Sequence, residues 1–230
     1  MTDSSELNAR FAKVPVSILS DVMRYAGISS HLVRHDIRPI GPCEAFAGPA
    51  FCVKGEQILG GALTAAADRR FEMFRRQPSG ALLVLASGEY EPAVVFGENV
   101  ALALQVRGCA GIITDGGIRD RDAIVGMKLP VCARFVTPLS SSKQWVTTGI
   151  DIPVTLPGQM SSFVEVNPGD MVVCDGDGIA IVPKRGAVSI LEDAEAVLAT
   201  EGQTRDRILR GEDPEAVYGA LPRFKHVRPV

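Results

Sequence analysis

"GIITDGGIRDRDAIVGMKLPVCARFV", residues 111–136, decides the fold. Its two ends, "GIIT" (111–114) and "PVCARFV" (130–136), are short apolar runs of the kind found in strands covered on both faces. The middle, "DRDAIVGMK" (120–128), has helical composition. Upstream, "ALLVLAS" (81–87) is a third buried strand and "ENVALALQVRG" (98–108) a second helix. Residues 81–136 therefore alternate strand, helix, strand, helix, strand, which predicts parallel βαβ units with right-handed crossovers.

On the N-terminal side, "SILSDVMRYAG" (17–27) predicts a helix capped by Ser17, with Leu19, Val22 and Met23 on one face and Gly27 at its end. "FAGPAFCVKG" (46–55) predicts a strand with an edge or bulge at Pro49. "LTAAADRRFEMFRRQ" (63–77) predicts a helix with Ala67, Phe71 and Phe74 inward. On the C-terminal side the pattern changes. "IDIPVTL", "SSFVEV", "DMVVCDG" and "GIAIVP", between residues 150 and 183, are short strands separated by Pro, Gly and Asp turns, the signature of a β-meander. A closing helix over about 186–210 places Val188, Leu191, Ala194, Val197 and Leu198 at helical spacing.

The 230 residues predict a single domain, with a core over about 15–210 and a tail over 211–230. Every long apolar stretch is broken well before the ~18 residues a membrane span needs, so no membrane partner is expected. A polar N-terminus without an apolar signal core points to a cytoplasmic protein. The net charge of -3, with basic residues scattered among acids, argues against nucleic acid. Arg69-Arg70 and Arg75-Arg76 read as solvated helix surface. The five cysteines lack C-x-x-C spacing and read as small core residues. Neither a G-x-G-x-x-G fingerprint, a P-loop nor a G-x-S-x-G elbow occurs.

Chemistry is expected beyond the carboxyl ends of the parallel strands, where strand-to-helix loops converge. Gly97-Glu98-Asn99-Val100 opens a helix, so its amides form a candidate site for a carboxylate or phosphate. In the second loop Gly116 and Gly117 allow close approach to a ligand, and Arg119-Asp120 begin the next helix. Two adjacent carboxylates, Glu98 and Asp120, with open water positions suit Mg²⁺ or Mn²⁺. Against this, Asp120 could cap its helix while Arg119 pairs with Asp115 or Asp122. His31 and His35 lie four apart, which on a helix could hold a metal, yet the flanking residues suggest a loop. Lys54 could form a Schiff base if desolvated, or could lead its charge to water.

Taken with "GENVALALQVRGCAGIITDGGIRD" (97–120) and "VNPGDMVVCDGDGIAIVPK" (166–184), these loops make the chain resemble the RraA-like family over roughly residues 15–220. That family holds the class II 4-hydroxy-4-methyl-2-oxoglutarate (HMG) and 4-carboxy-4-hydroxy-2-oxoadipate (CHA) aldolases and the regulators of ribonuclease activity A. The most specific element is an acid, twenty intervening residues and Arg-Asp, here Glu98 and Arg119-Asp120. The resemblance implies an α/β/β/α sandwich of the swivelling phosphohistidine-domain type, assembled as homotrimers or homohexamers with sites between subunits. By residue, it implies that Asp120 binds the divalent metal and that Arg119 contacts the 2-oxo acid and steadies the enolate. Glu98, where the family usually has Asp, would move protons through metal-bound water, and the amides of Gly97 to Val100 would hold the substrate carboxylate. Glu201 is the match for an acid that a neighbouring subunit contributes. The implied reaction is retro-aldol cleavage of a 4-hydroxy-2-oxo acid to pyruvate, with oxaloacetate decarboxylation as a side activity. The alternative within the family is a non-catalytic protein that masks a ribonuclease or helicase surface. A methyltransferase is disfavoured because no glycine-rich nucleotide loop is present.

Overall fold

The computed structural model describes residues 4–42, 44–58, 68–141 and 144–230. Its spine is the long strand β2 (Phe46–Gln57), which follows the short β1 (Arg38–Pro39) and the helices α1 (Ser4–Phe11) and α2 (Val16–Tyr25). Beyond α3 (Arg70–Arg76), strands β3 (Leu82–Ala86), β5 (Gly111–Thr114) and β7 (Val131–Ala133) stand parallel, in the order β2-β3-β5-β7. Helices α4 (Glu98–Gln105) and α5 (Arg121–Gly126) make the crossovers. The βαβ grammar of residues 81–136 is thus realised, with additions. Strands β4 (Val94–Phe96), β6 (Gly117–Ile118) and β8 (Phe135–Val136) follow β3, β5 and β7 and form a second parallel sheet, β4-β6-β8.

The C-terminal strands are not one simple meander. β9 (Trp145–Ile150) pairs antiparallel with the second half of β2. β10 (Val154–Pro157) and β11 (Phe163–Val166) form a separate hairpin. β12 (Met171–Cys174) pairs with both β13 (Ile179–Val182) and the first half of β2. The chain closes with α6 (Ala187–Leu209) and α7 (Pro214–Ala220).

Strand alternation sorts the buried side chains into three interlayer cores. Phe51, Val53, Leu83, Leu85, Ile112 and Val131 face the helices α3, α4 and α5. Cys52, Leu82, Val84, Ile113 and Cys132 face inward, against Val154, Val164, Val172, Cys174, Ile179 and Ile181. On the far side, Met171, Val173, Ala180 and Val182 meet Leu19, Val22 and Met23 of α2 and Ile190, Leu191, Ala194 and Val197 of α6. Helix, strand, strand, helix is the layering expected, and it explains why β3, β5, β12 and β13 are buried at every position.

Several local expectations are corrected. The first amide of α2 is capped by the Asp175 carboxylate at 2.8 Å, and Ser17 lies inside the first turn. Gly27 does end the helix, at φ +90°. The register break in β2 falls at Lys54/Gly55, where a Cβ on Gly55 would strike the Trp145 ring, and Pro49 simply precedes the first β2–β3 pair, Ala50–Leu82. In α3 it is Met73 that is buried, whereas Phe71 is exposed and stacks edge-on with Phe74; Ala67 lies outside the described residues. In α6 Val188 faces solvent and Ile190 takes its place in the core. Among the described residues no helix is long and apolar enough to cross a membrane.

Candidate active site

Each parallel strand leaves the main sheet at a polar joint and restarts in the β4-β6-β8 sheet. At the end of β5 the Asp115 carboxylate is buried and accepts the backbone amides of Ser87 and Glu89, so it ties the exit of β5 to the exit of β3. Beside it, the Asp36 carboxylate accepts Nε of both Arg34 (2.8 Å) and Arg134 (2.9 Å). The bond from Arg34 is the main cause that holds Asp36 below the usual carboxylate range, with Arg134 adding to it and burial opposing it. Gly116 and Gly117 are both buried, which corrects their expected role. A Cβ on Gly116 would come within 2.9 Å of Ser87 Oγ, and one on Gly117 within 2.2 Å of the Phe135 ring. They make room for packing at the joint, not for a ligand.

The candidate site lies at the carboxyl ends of the second sheet. Gly97 follows β4, Arg119-Asp120 follow β6, and Thr137-Pro138 follow β8, tied by bonds from Arg119 N to Phe96 O (3.2 Å) and from Thr137 N to Ile118 O (3.0 Å). Asp120 occupies the N-cap position of α5 in a left-handed conformation (φ 59°, ψ 37°), and its side chain makes no bond to that helix. Instead Oδ2 reaches across and accepts the amide of Glu98, the first residue of α4, at 3.1 Å. Arg119 Nε lies 3.5 Å from the same oxygen. Gly97 permits this approach, because a Cβ there would sit 2.4 Å from Asp120 Oδ2 and 2.9 Å from Arg119 Cγ. Asp120 therefore caps a helix, but α4 instead of its own.

Arg119, Asp120, Val136, Thr137 and Pro138 line an open cleft of about 320 Å³. Glu98 and Asn99 are exposed beside it. Of the four amides at 97–100, that of Glu98 is taken by Asp120 and that of Val100 turns back to Gly97 O at 3.1 Å, so the expected four-amide anion site is reduced to Gly97 and Asn99. Sequence reading passed over Val136, Thr137 and Pro138. The available signal was position, since they follow the third buried strand as 97–100 and 119–120 follow the first two.

Other candidates fall away from this cleft. Asp122 pairs with Arg121 on the exposed surface, and Asp115 is engaged at the joint, so neither is the partner of Arg119. His31 is buried and bonded to Ser20 Oγ and Ile28 O, while His35 bonds to Gln159, so the two do not converge. Lys54 is half exposed and pairs with Glu56 at 2.7 Å, without the desolvation a Schiff-base lysine needs. Glu201 lies on α6, paired with Arg223 at 2.7 Å.

Among the described residues no group of three His, Cys, Asp or Glu converges to cage a metal. The single carboxylate of Asp120, with about 41% of its side chain exposed, matches the needs of a hard cation such as Mg²⁺, which keeps several waters and takes one or two protein carboxylates.

The fold and the cleft together define a layered α/β protein that carries an acidic and basic pair, Asp120 and Arg119, where parallel strands end. The family model "RraA-like: Aldolase/RraA" matches residues 16–181, and the chain belongs to that family. An uncharacterized protein of Methanocaldococcus jannaschii is 34% identical over 130 residues, which cover 56% of this chain and 59% of that one. A Halalkalibacterium halodurans protein named "Putative 4-hydroxy-4-methyl-2-oxoglutarate aldolase" is 26% identical over 94% of both chains. Among solved structures, an uncharacterized protein from Pseudomonas syringae superposes with a TM-score of 0.81 at 23% identity, over 96% of each chain. Streptomyces coelicolor RraAS2, titled an unusual member of the RNase ES inhibitor RraA family, gives 0.75 at 23% identity, over 88% of this chain and 98% of its own.

Proposed function

We propose that this protein is a divalent-metal-dependent lyase that cleaves a 4-hydroxy-2-oxo acid of the HMG/CHA type to pyruvate, with oxaloacetate decarboxylation as a side activity. The observation that supports this reading best is the turn of Asp120 away from its own helix, onto the start of α4 and into contact with Arg119. A carboxylate and a guanidinium so held present one group for a cation and one for a developing anion.

Asp120 would hold Mg²⁺ or Mn²⁺, which when bound supplies Lewis-acid polarisation of the substrate's carboxylate and 2-oxo oxygens. The amides of Gly97 and Asn99, with the positive end of the α4 dipole, bind the carboxylate. Glu98 serves as the route by which the C4 hydroxyl proton leaves; the C3–C4 bond breaks and C4 becomes a carbonyl. Arg119 stabilises the negative charge that moves onto the 2-oxo oxygen, by charge placed before the reaction starts. Protonation at C3 then yields pyruvate. Oxaloacetate reaches the same enolate by losing CO₂. In this reading the chains assemble as a homotrimer or homohexamer, and Glu201 of a neighbouring copy completes the outer shell of the site.

The test is to incubate the purified protein with 4-hydroxy-4-methyl-2-oxoglutarate or oxaloacetate and Mg²⁺ or Mn²⁺, following pyruvate. Metal-dependent pyruvate formation supports the lyase. Background rates, or rates that a chelator leaves unchanged, remove it and leave the regulatory reading of the family.

A further inference from the structure

Cys132 on β7 and Cys174 on β12 belong to the same eight-stranded sheet, separated in its order by β5, β3 and β2, and both face the inner core. Their sulfurs nevertheless meet at 3.5 Å across the inner core, and neither residue has any solvent exposure. The two other described cysteines are differently placed: Cys52 Sγ contacts Val166 O at 3.5 Å and Cys109 Sγ contacts Gly111 O at 3.1 Å. A disulfide has sulfurs about 2.05 Å apart, so closure requires the two sulfurs to approach by about 1.5 Å.

We propose that Cys132 and Cys174 are a latent disulfide across the inner core, a modification site that staples β7 to β12. The step is thiol–disulfide exchange with a small-molecule disulfide such as oxidised glutathione. One cysteine, as thiolate, attacks that disulfide, forming a mixed disulfide and releasing one glutathione thiol. The second then displaces the other glutathione as the Cys132–Cys174 bond forms. The two protein thiols lose two protons and two electrons in total, and the reagent gains both. Because the sulfurs are sealed from water, the exchange proceeds through local opening and is slow. Once formed, the bond closes a long loop and restricts the unfolded chain, so the oxidised protein unfolds at higher temperature.

The full-length protein, reduced and then held with excess oxidised glutathione until its thiol count is constant, tests this. Thiols are counted in denaturant, and unreduced peptides are mapped by mass spectrometry. The expected result is a fall from five thiols to three, a peptide pair joined through Cys132 and Cys174, and an unfolding midpoint raised by about 5 °C or more and restored by reductant. Cys132→Ala and Cys174→Ala should each lose the linkage and the shift. A constant count of five, or a bond that joins other cysteines, overturns the proposal.

Discussion

The backbone amide of Glu98 donates to Oδ2 of Asp120 at 3.1 Å, across 22 residues of sequence. The bond welds the start of α4 to the start of α5, and so sets the distance between the two loops that carry the candidate chemistry. Asp120 makes it from a left-handed backbone, a conformation that Asp and Asn tolerate better than other residues with a side chain.

Asp120→Asn separates capping from cation binding. Asn accepts the Glu98 amide and tolerates the left-handed backbone, so the unfolding midpoint should stay within a few degrees of wild type while metal-dependent pyruvate formation is lost. Asp120→Ala should lose the same activity and also about 1–2 kcal/mol of stability, from the missing cap and the strained backbone. Retention of metal-dependent turnover in both variants would make Asp120 a cap alone.

Arg119→Ala should lower kcat by about 10²-fold or more with a smaller effect on KM, because the guanidinium acts on charge that develops in the transition state. Arg119→Lys keeps the charge but loses the planar donor fork, and should recover part of kcat. A pure KM effect would assign Arg119 to ground-state binding.

Gly97→Ala probes the close approach directly. Its backbone (φ -141°) is open to alanine, so any loss comes from the Cβ that would meet Asp120 Oδ2. We expect kcat/KM to fall about 10-fold or more, with a stability loss of about 1 kcal/mol where the displaced carboxylate no longer caps α4. Wild-type kinetics would show that the loop can shift without consequence.

Asp115→Asn should destabilise the protein by about 1–3 kcal/mol, since an amide nitrogen then faces one of the two backbone N–H groups that the carboxylate satisfies. Chemical denaturation measures this, and an unchanged midpoint would remove Asp115 as the tie between the strand exits.

His31 sets a pH dependence. Burial is the main cause that lowers its pKa from the ordinary 6.5, outweighing the bonds to Ile28 and Ser20. The unfolded chain therefore takes up a proton before the folded one. The stability from keeping His31 neutral is complete above about pH 6.5 and is lost as the pH falls below it, down to the folded pKa. Unfolding midpoints between pH 8 and pH 5 should show that decline, and His31→Gln should flatten it. An equal slope in the variant would place the titration elsewhere.

Sequence alone determined the parallel strands, their crossover helices and the two loops that matter, because short uninterrupted apolar runs such as "GIIT" and "ALLVLA", bounded by turn residues and alternating with helical segments, read as strands with both faces covered. It also placed Glu98, Arg119 and Asp120 at strand exits. Tertiary structure decided the rest, since the deciding partners are remote in the chain. Phe71 has the right spacing for a core face, yet it is Met73 that is buried, in the same cluster as Trp145 and Ile150 of β9. Gly116 and Gly117 read as ligand-facing glycines until Ser87 and Phe135 are seen against them. Which helix Asp120 caps, and which sulfur meets Cys174, depend on how layers stack. A one-dimensional pattern records each residue's preference for burial or a turn, but not the neighbour that satisfies it.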